Sequence, residues 1–382
     1  MRGGGLNGLK IGLVTDNPIT TIGGVERFSL GLIQELETRG ARTLVYDRTV
    51  LHEYGEKWLD RWGFDISRRC WVLGVVASRL LAEAGADIII QNGISGWSLR
   101  RLAQGIPRVV VHHGTWRGVA PNLLRPDAGI RNLIANRVLT NWQLGAIEKW
   151  TSGNATSVAV SPSVATELRD IYGLDSLVIQ NGVELQQFVP GGQREARETL
   201  GLEIPAETVV VIFPGRVEYG KGSDLLSKLA LRAREHLPEA HFLICTDREW
   251  PGWPSNVTFL TNLPHQLMPL AYRASNVFLF PSRYEGCSLS VIEAMACGLA
   301  PLLSDVGHAQ GIPRDVPDLH DYILPDFLLE SWWSRLALLI QNPDERKRCG
   351  VAARRYVEAH HSLEAMGDAY EKLILELIGG IR

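Results

Sequence analysis

The 382-residue chain carries only five cysteines, and no C-x-x-C pair is among them. Cys70, Cys245, Cys287, Cys297 and Cys349 are odd in number and far apart. That argues against a disulfide framework and against a structural zinc site. No run of about 18 apolar residues occurs, so no membrane-spanning helix is expected. The start, Met1-Arg-Gly-Gly-Gly-Leu-Asn-Gly8, lacks the apolar core of a signal peptide. A cytoplasmic protein is expected. Nor is there a basic excess: 39 Lys and Arg stand against 42 Asp and Glu, a net of −3. A generic nucleic-acid binder would usually be basic, so nucleic acid is not an expected partner. The 38 glycines follow no three-residue period, which excludes a collagen-like chain. With 45% apolar and 21% charged residues, disorder over most of the length is excluded as well.

What is present is a repeated alternation of short apolar runs and amphipathic segments. Lys10–Thr15, Thr43–Tyr46, Asp87–Gln91, Arg108–His112, Ser157–Ser161 and Leu177–Gln180 read as buried strands. Helical spacing lies between them, as in Val25–Arg39 with Phe28, Leu32 and Leu36 on one face. Further helices are expected at Trp71–Ala84, Trp97–Gln104, Ile130–Trp150 and Pro162–Tyr172. Asn181-Gly182 and Phe188-Val-Pro-Gly-Gly192 then break the pattern. A second series opens at Thr208–Phe213 and continues through strands His241–Cys245, Val257–Leu260, Val277–Phe280 and Ala300–Ser304. Such alternation means parallel, doubly wound sheets. The expected fold class is α/β, with two Rossmann-like domains joined near residues 181–194. The expected domains are 1–185, 186–365 and a C-terminal helix, 366–382, packing back on the first domain. Ligands of such sheets sit beyond the carboxyl ends of the strands, and two such domains would place the site in a cleft.

Four segments could carry chemistry there. The first is Pro281-Ser-Arg-Tyr-Glu-Gly-Cys-Ser-Leu-Ser-Val-Ile-Glu293, a strand end, a loop with Gly286 and a helix start. The N–H groups of a helix start form an anion site, and Glu285 and Glu293 flank it. Phosphate on the helix start and hydroxyls on the carboxylates would suit a sugar nucleotide. Ser290-x-x-Glu293 also matches a capping box, which would make Glu293 structural. The second is Phe213-Pro-Gly-Arg-Val-Glu-Tyr-Gly-Lys-Gly222, where Arg216 and Lys221 could meet a diphosphate. A solvated basic loop is the plainer reading, and no Walker loop is formed. The third is Gly23-Gly24 at the start of a helix. It is not G-x-G-x-x-G, and it is as often a simple turn. The fourth is His112-His113-Gly114 at a strand end, where alternation turns one imidazole inward and the other toward the cleft.

Taken in order, Gly23-Gly24, His113-Gly114, Val160-Ser-Pro-Ser163, Val178-Ile-Gln-Asn-Gly-Val183, Gly215-Arg216, Lys221-Gly222 and Glu285-x₇-Glu293 resemble glycosyltransferase family 4 (glycosyl transferases group 1) over nearly the whole chain. The resemblance implies a GT-B fold and transfer of a hexose, with retention, from a UDP- or GDP-sugar to an acceptor hydroxyl, as in polysaccharide biosynthesis. It implies that Arg216 and Lys221 hold the donor diphosphate and that Glu285 contacts donor-sugar hydroxyls. Gly286 shapes the loop, and Cys287, Ser288 and Leu289 offer backbone N–H groups. Glu293 would accept from the ribose, His113 would sit beside the reacting sugar, and Gly23 or Gly24 would allow close approach. The catalytic set is thus Glu285, His113, Arg216 and Lys221. No cofactor is implied, and the absence of a D-x-D triplet fits a metal-independent reaction.

Two segments depart from the family pattern. Thr246-Asp-Arg-Glu-Trp250 and Leu260-Thr-Asn262 lack the glycines that family members carry near the nucleobase. A UDP-sugar epimerase and a silent sugar-nucleotide binder are the alternatives. The acceptor could be a glycan or a lipid-linked saccharide. Seven arginines against Asp127 alone, from Arg100 to Arg137, could meet such an acceptor or the inner membrane face, together with Trp116, Leu123 and Leu124. A solvated helix face is slightly favoured.

Overall fold

The computed structural model describes residues 5–21, 23–53 and 66–380. They form two compact units. One runs to Pro121, from Pro126 to Gly182 and again from Leu363, while the other holds Val183–Ser362 together with Asn122–Arg125.

The first unit is built on strands β1 (Lys10–Val14), β2 (Arg42–Tyr46), β3 (Ile88–Asn92), β4 (Arg108–His112), β5 (Thr156–Ala159) and β6 (Leu177–Val178). All pair in parallel, in the order β2-β1-β3-β4-β5-β6. The second contains β7 (Val209–Pro214), β8 (Ala240–Thr246), β9 (Val257–Thr261), β10 (Val277–Phe280), β11 (Ala300–Ser304) and β12 (Ile323–Leu324), again parallel, in the order β12-β11-β10-β7-β8-β9. Ile88–Ile90, Val109–Val111 and Val210–Ile212 are fully buried. Burial on both faces is why these strands read as unbroken apolar runs rather than as alternation.

The expected strands fall within a few residues of the observed ones. Among the elements not anticipated are the helices Thr49–Glu53, Trp116–Leu123 and Gln193–Thr199 and the two-residue strand β12. The expected helix 130–150 is helical throughout but not uniformly so. It is α-helical at Ile130–Asn136 and Gly145–Thr151, with a π-helical middle at Arg137–Leu144.

The strand orders place the candidate loops. In the first sheet the winding reverses between β1 and β3, and in the second between β7 and β10. At such a reversal the connecting helices pass to opposite faces and leave a crevice at the carboxyl ends of the strands.

Helix α1 (Gly24–Thr38) buries Phe28, Leu32 and Leu36 at four-residue spacing, as its sequence requires. Helix α2 (Ile66–Ala84) buries Leu73, Ala77 and Leu81 in one cluster with Val14 and Ile89. A long terminal helix, residues Leu363–Gly379, packs on α1 within the first unit. Arg39 pairs with Asp368 at 2.7 Å and with Glu371 at 3.1 Å, and the Phe28 and Tyr370 ring centroids are 6.1 Å apart.

Tyr370 is fully buried, and its hydroxyl has no hydrogen-bond partner among the described residues. A desolvated, unpaired hydroxyl costs about 1–3 kcal/mol. Tyr370→Phe keeps the ring packing and removes that group, so stability in urea should be unchanged or higher by about 1 kcal/mol. A comparable loss would show that the hydroxyl is satisfied after all.

Candidate functional site

In the second unit the loops after β7 and β10 lie side by side because their strands are neighbours. After β7, residues Tyr219–Lys221 make a single helical turn and Gly222 starts helix α3 (Ser223–His236). Gly222 has φ +75°, and a Cβ there would lie 2.0 Å from the Pro281 carbonyl oxygen. Only glycine fits this left-handed position against another backbone. The close approach brings Lys221 to the second loop, where its Nζ lies 2.5 Å from Glu285 Oε1. The fully buried Ser282 donates to the same oxygen at 2.6 Å. The ammonium also lies 5.6 Å from the centre of the Phe280 ring. Two residues named separately from sequence thus form one ion pair.

A residue that the sequence did not single out holds the two loops together. Arg283 donates to both carboxylate oxygens of Asp224, at 2.8 and 3.0 Å, and to the Tyr219 carbonyl at 2.6 Å. Its backbone N–H reaches the Gly220 carbonyl at 2.8 Å, and its guanidinium lies 3.8 Å from the centre of the Tyr219 ring. Planar stacking combined with bidentate pairing is what a guanidinium offers and an ammonium does not. Arg216, by contrast, stands out in solvent and pairs with Glu218 at 3.1 Å.

Past Glu285 the chain turns at Gly286, and helix α4 (Leu289–Ala296) starts with Ser288 as its N-cap. The first helical bond runs from the Ile292 N–H to the Ser288 carbonyl, so the N–H groups ahead of it lie outside the ladder. Gly286 is fixed from the other side, its carbonyl accepting from the His308 N–H at 2.8 Å. Gly307, at φ +60°, could not carry a Cβ without a 2.5 Å contact to the Glu285 and Gly286 carbonyl oxygens.

The capping-box reading of Glu293 is corrected here. Ser290 lies inside the helix, not at its cap, and the Ser288 side chain makes no cap bond. Glu293 is buried, accepting from Tyr272 Oη at 2.9 Å, with His265 Nε2 3.0 Å from its other oxygen. Nothing near Glu293 in the sequence signals either partner, because both come from the segment between β9 and β10.

In the first unit, Gly23 is the N-cap of α1, and a Cβ on Gly24 would meet open space. The buried Glu26 turns its carboxylate back to Gly23 and accepts from Asn17 at 2.9 Å. The two histidines part as alternation requires. His112 is buried between Glu148, 3.4 Å from its Nδ1, and Ser152, 3.2 Å from its Nε2. His113 turns the other way, with Nε2 3.0 Å from Asn92 Oδ1 and its ring edge-on to Phe28. Asn92 spends its N–H on Ser29 Oγ, so its oxygen accepts from His113 Nε2–H, leaving His113 Nδ1 as an acceptor. Loss of hydration, with His112 next to it, pushes the His113 pKa down to about 3. It is therefore neutral at pH 7.

The Arg100–Arg137 stretch is not one surface. Arg100 stacks on Trp150, 4.6 Å from the ring centre, and Arg108 is buried against Gln91 and Gly153. Burial lowers the Arg108 pKa to about 10. Arg117 lies over Tyr172, and Trp116 donates its backbone N–H to the buried Glu148. Arg131 and Arg137 stay exposed.

Burial alone would raise the Asp224 pKa, but its bonds to Arg283 outweigh that and hold it below 3.8. A carboxylate with a depressed native pKa stabilises fully above its unfolded value and loses the effect as pH falls through the native one. Asp224→Asn, which leaves a buried guanidinium unpaired, should cost about 2–3 kcal/mol at pH 7. The gap to the native protein should close below about pH 4 in urea titrations. A gap constant down to pH 2 would remove the ion pair as its cause.

Residues 198–356 match the family described as Glycosyl transferases group 1, and residues 22–187 match Glycosyltransferase Family 4. A D-inositol 3-phosphate glycosyltransferase of Segniliparus rotundus is 31% identical over 229 residues, covering 55% of this chain and 50% of that protein. The chain thus spans about half the length of that relative. Among solved structures, sucrose-phosphate synthase of Thermosynechococcus elongatus superposes with a TM-score of 0.78 at 20% identity, covering 97% of this chain and 100% of that one. Anabaena HepE, solved in complex with UDP-glucose, gives 0.67 at 14% identity, covering 97% and 100%. At such identities the likeness shows the fold. With both family segments present in order and the fold shared almost end to end, the chain belongs to the family-4 glycosyltransferases and has the GT-B fold.

Proposed function

We propose that the protein transfers a hexose, with retention, from a nucleotide-diphosphate sugar to a hydroxyl of a glycan or lipid-linked acceptor. The observation that carries this reading is the joining of Lys221, Glu285 and the start of α4 at the β7/β10 reversal. A cation, a carboxylate and a set of helix-start N–H groups within one crevice suit a ligand made of phosphates and hydroxyls. A uridine donor is favoured because HepE, with the same fold, was solved with UDP-glucose.

In this reading Lys221 meets the diphosphate, and Arg216, exposed and paired at the surface with Glu218, closes on it from outside. Together they stabilise the leaving group electrostatically and take the place of a metal ion. Glu285, aligned by Ser282 and Lys221, accepts from the sugar hydroxyls. The N–H groups of Cys287, Ser288 and Leu289 serve the sugar and the phosphates, and Gly286 keeps the backbone close. Glu293 receives the ribose hydroxyls alongside Tyr272 and His265. His113, being neutral, hydrogen-bonds the reacting sugar rather than transferring a proton, while Gly23 and Gly24 give the ligand room at α1. The departing diphosphate takes the proton of the attacking hydroxyl on the same face.

The test is a panel of UDP-, GDP- and ADP-sugars incubated with enzyme and candidate acceptors, with free nucleotide measured in the presence and absence of chelator. Nucleotide release from one donor, insensitive to chelator, is expected. Sugar interconversion without release would point to an epimerase, and saturable binding without either product to a silent binder. Glu285→Gln should fold normally and lower kcat/KM by about 10²–10³. Near-native turnover would dismiss its role.

A further inference from the structure

The helical segment from Ile130 to Leu144 is set into the first unit the wrong way round. Its α and π turns together give a repeat of about four residues. On that repeat Ile130, Ile134, Val138 and Trp142 form one line along the helix, and the opposite line is Asn132, Asn136, Thr140 and Leu144. The apolar line is the outer one. Ile130 and Trp142 are each 74% exposed, and Ile134 and Val138 are 56% and 54% exposed. Along the opposite line Asn132 is exposed, Asn136 and Thr140 are half-buried and Leu144 is buried, and Asn136 donates to the Ala120 carbonyl at 2.7 Å. Leu133 and Leu139 widen the outer stripe, at 37% and 50% exposed.

Single exposed leucines need no explanation, but a contiguous stripe of six large apolar side chains marks a surface that something covers. Charge decides between occupants. Arg131 and Arg137 are exposed on the same helix, and Asp127 is the sole acid between Arg101 and Ile147. A second copy of the same face would set arginine against arginine. An anionic lipid surface would meet both the apolar stripe and the cations, and a tryptophan at its edge suits the headgroup layer. Among the described residues no helix is long and apolar enough to cross a membrane, so the contact is one of lying on the surface.

We propose that Ile130–Trp142 is an interfacial helix that docks this protein on an anionic bilayer, with its apolar stripe in the headgroup boundary and Arg131 and Arg137 on lipid phosphates. This places the contact on the helix after Gly129, away from Trp116 and Arg117, which are occupied inside the unit. It does not depend on the reaction proposed above.

The experiment is co-sedimentation of the full chain with vesicles of phosphatidylcholine alone and with 30% phosphatidylglycerol, at low and high salt, with sedimentation velocity run without lipid. Binding only to the anionic vesicles, weakened by salt, is expected. Ile134→Ser with Val138→Ser should abolish it, and Arg131→Gln with Arg137→Gln should weaken it about thirtyfold. Trp142→Phe should remove a blue-shifted component of the lipid-bound emission. Because these side chains are exposed, all variants should melt as the native protein does. Binding that survives the Ile134/Val138 change, or no binding to anionic vesicles at all, overturns the proposal. A dimer in solution that the same change dissociates would overturn it too, by assigning the face to a second copy.

Discussion

The contact on which the candidate site depends is the one between Lys221 and Glu285, 2.5 Å apart and largely shielded from water. Neither group would be held so without the other, since an unpaired charge beside Phe280 would be costly to desolvate. The contact exists because β7 and β10 are neighbours across a reversal in winding, and because Gly222 lets one loop lie against the Pro281 carbonyl. An ammonium has three donors and Glu285 takes one of them. The pair therefore fixes the position of the cation without using up its capacity to bind oxygen. Arg283 does the complementary work, joining the loops from behind through Asp224 and the Tyr219 and Gly220 carbonyls.

How much of this was legible in the sequence follows from the range of the interactions. The strands could be read because burial on both faces makes them continuously apolar, and β4, β10 and β11 have the expected bounds. The two-residue strand β12 could not, because so short a run carries no period. Lys221 and Glu285 stood out as charged residues beside glycines at strand ends. Their pairing did not, since 64 positions separate them. Arg283, His265, Tyr272 and Asn92 were invisible for the same reason. Each acts on a residue brought to it by the sheet order, and nothing near it in sequence names the partner. The capping motif at Ser290 failed for a local reason. An N-cap needs extended backbone, and the chain takes up that conformation at Ser288, two residues earlier.

The basic stretch shows the same limit from the other side. Seven arginines looked like one charged face, yet Arg108 is buried against Gln91, and Arg100 and Arg117 lie half-buried over the rings of Trp150 and Tyr172. Charge counts report which groups exist and not which are already satisfied. The first unit handles its polar interior mainly with neutral groups. His112 sits with Ser152 and the many-partnered Glu148, and His113 hangs from Asn92, which in turn holds Ser29 of α1. That chain of bonds ties α1, the end of β3 and the end of β4 into one arrangement. A neutral imidazole in it can present a hydrogen bond without bringing a charge to the first unit's face.

The helix after Gly129 breaks the rule that α1 and α2 obey. In α1 and α2 the apolar line faces the sheet, and each buried large side chain stabilises by about 1.5–3 kcal/mol. Half a turn of rotation would bring Ile134 and Val138 to the half-buried side and expose Asn136, Thr140 and the buried Leu144. The monomer forgoes that gain, while a polar line with a specific bond from Asn136 to Ala120 holds the helix in its inverted setting. The π-helical middle serves the same end. By lengthening the repeat to about four residues it keeps all four apolar positions in register over three turns, where an unbroken α-helix would let them drift around the axis.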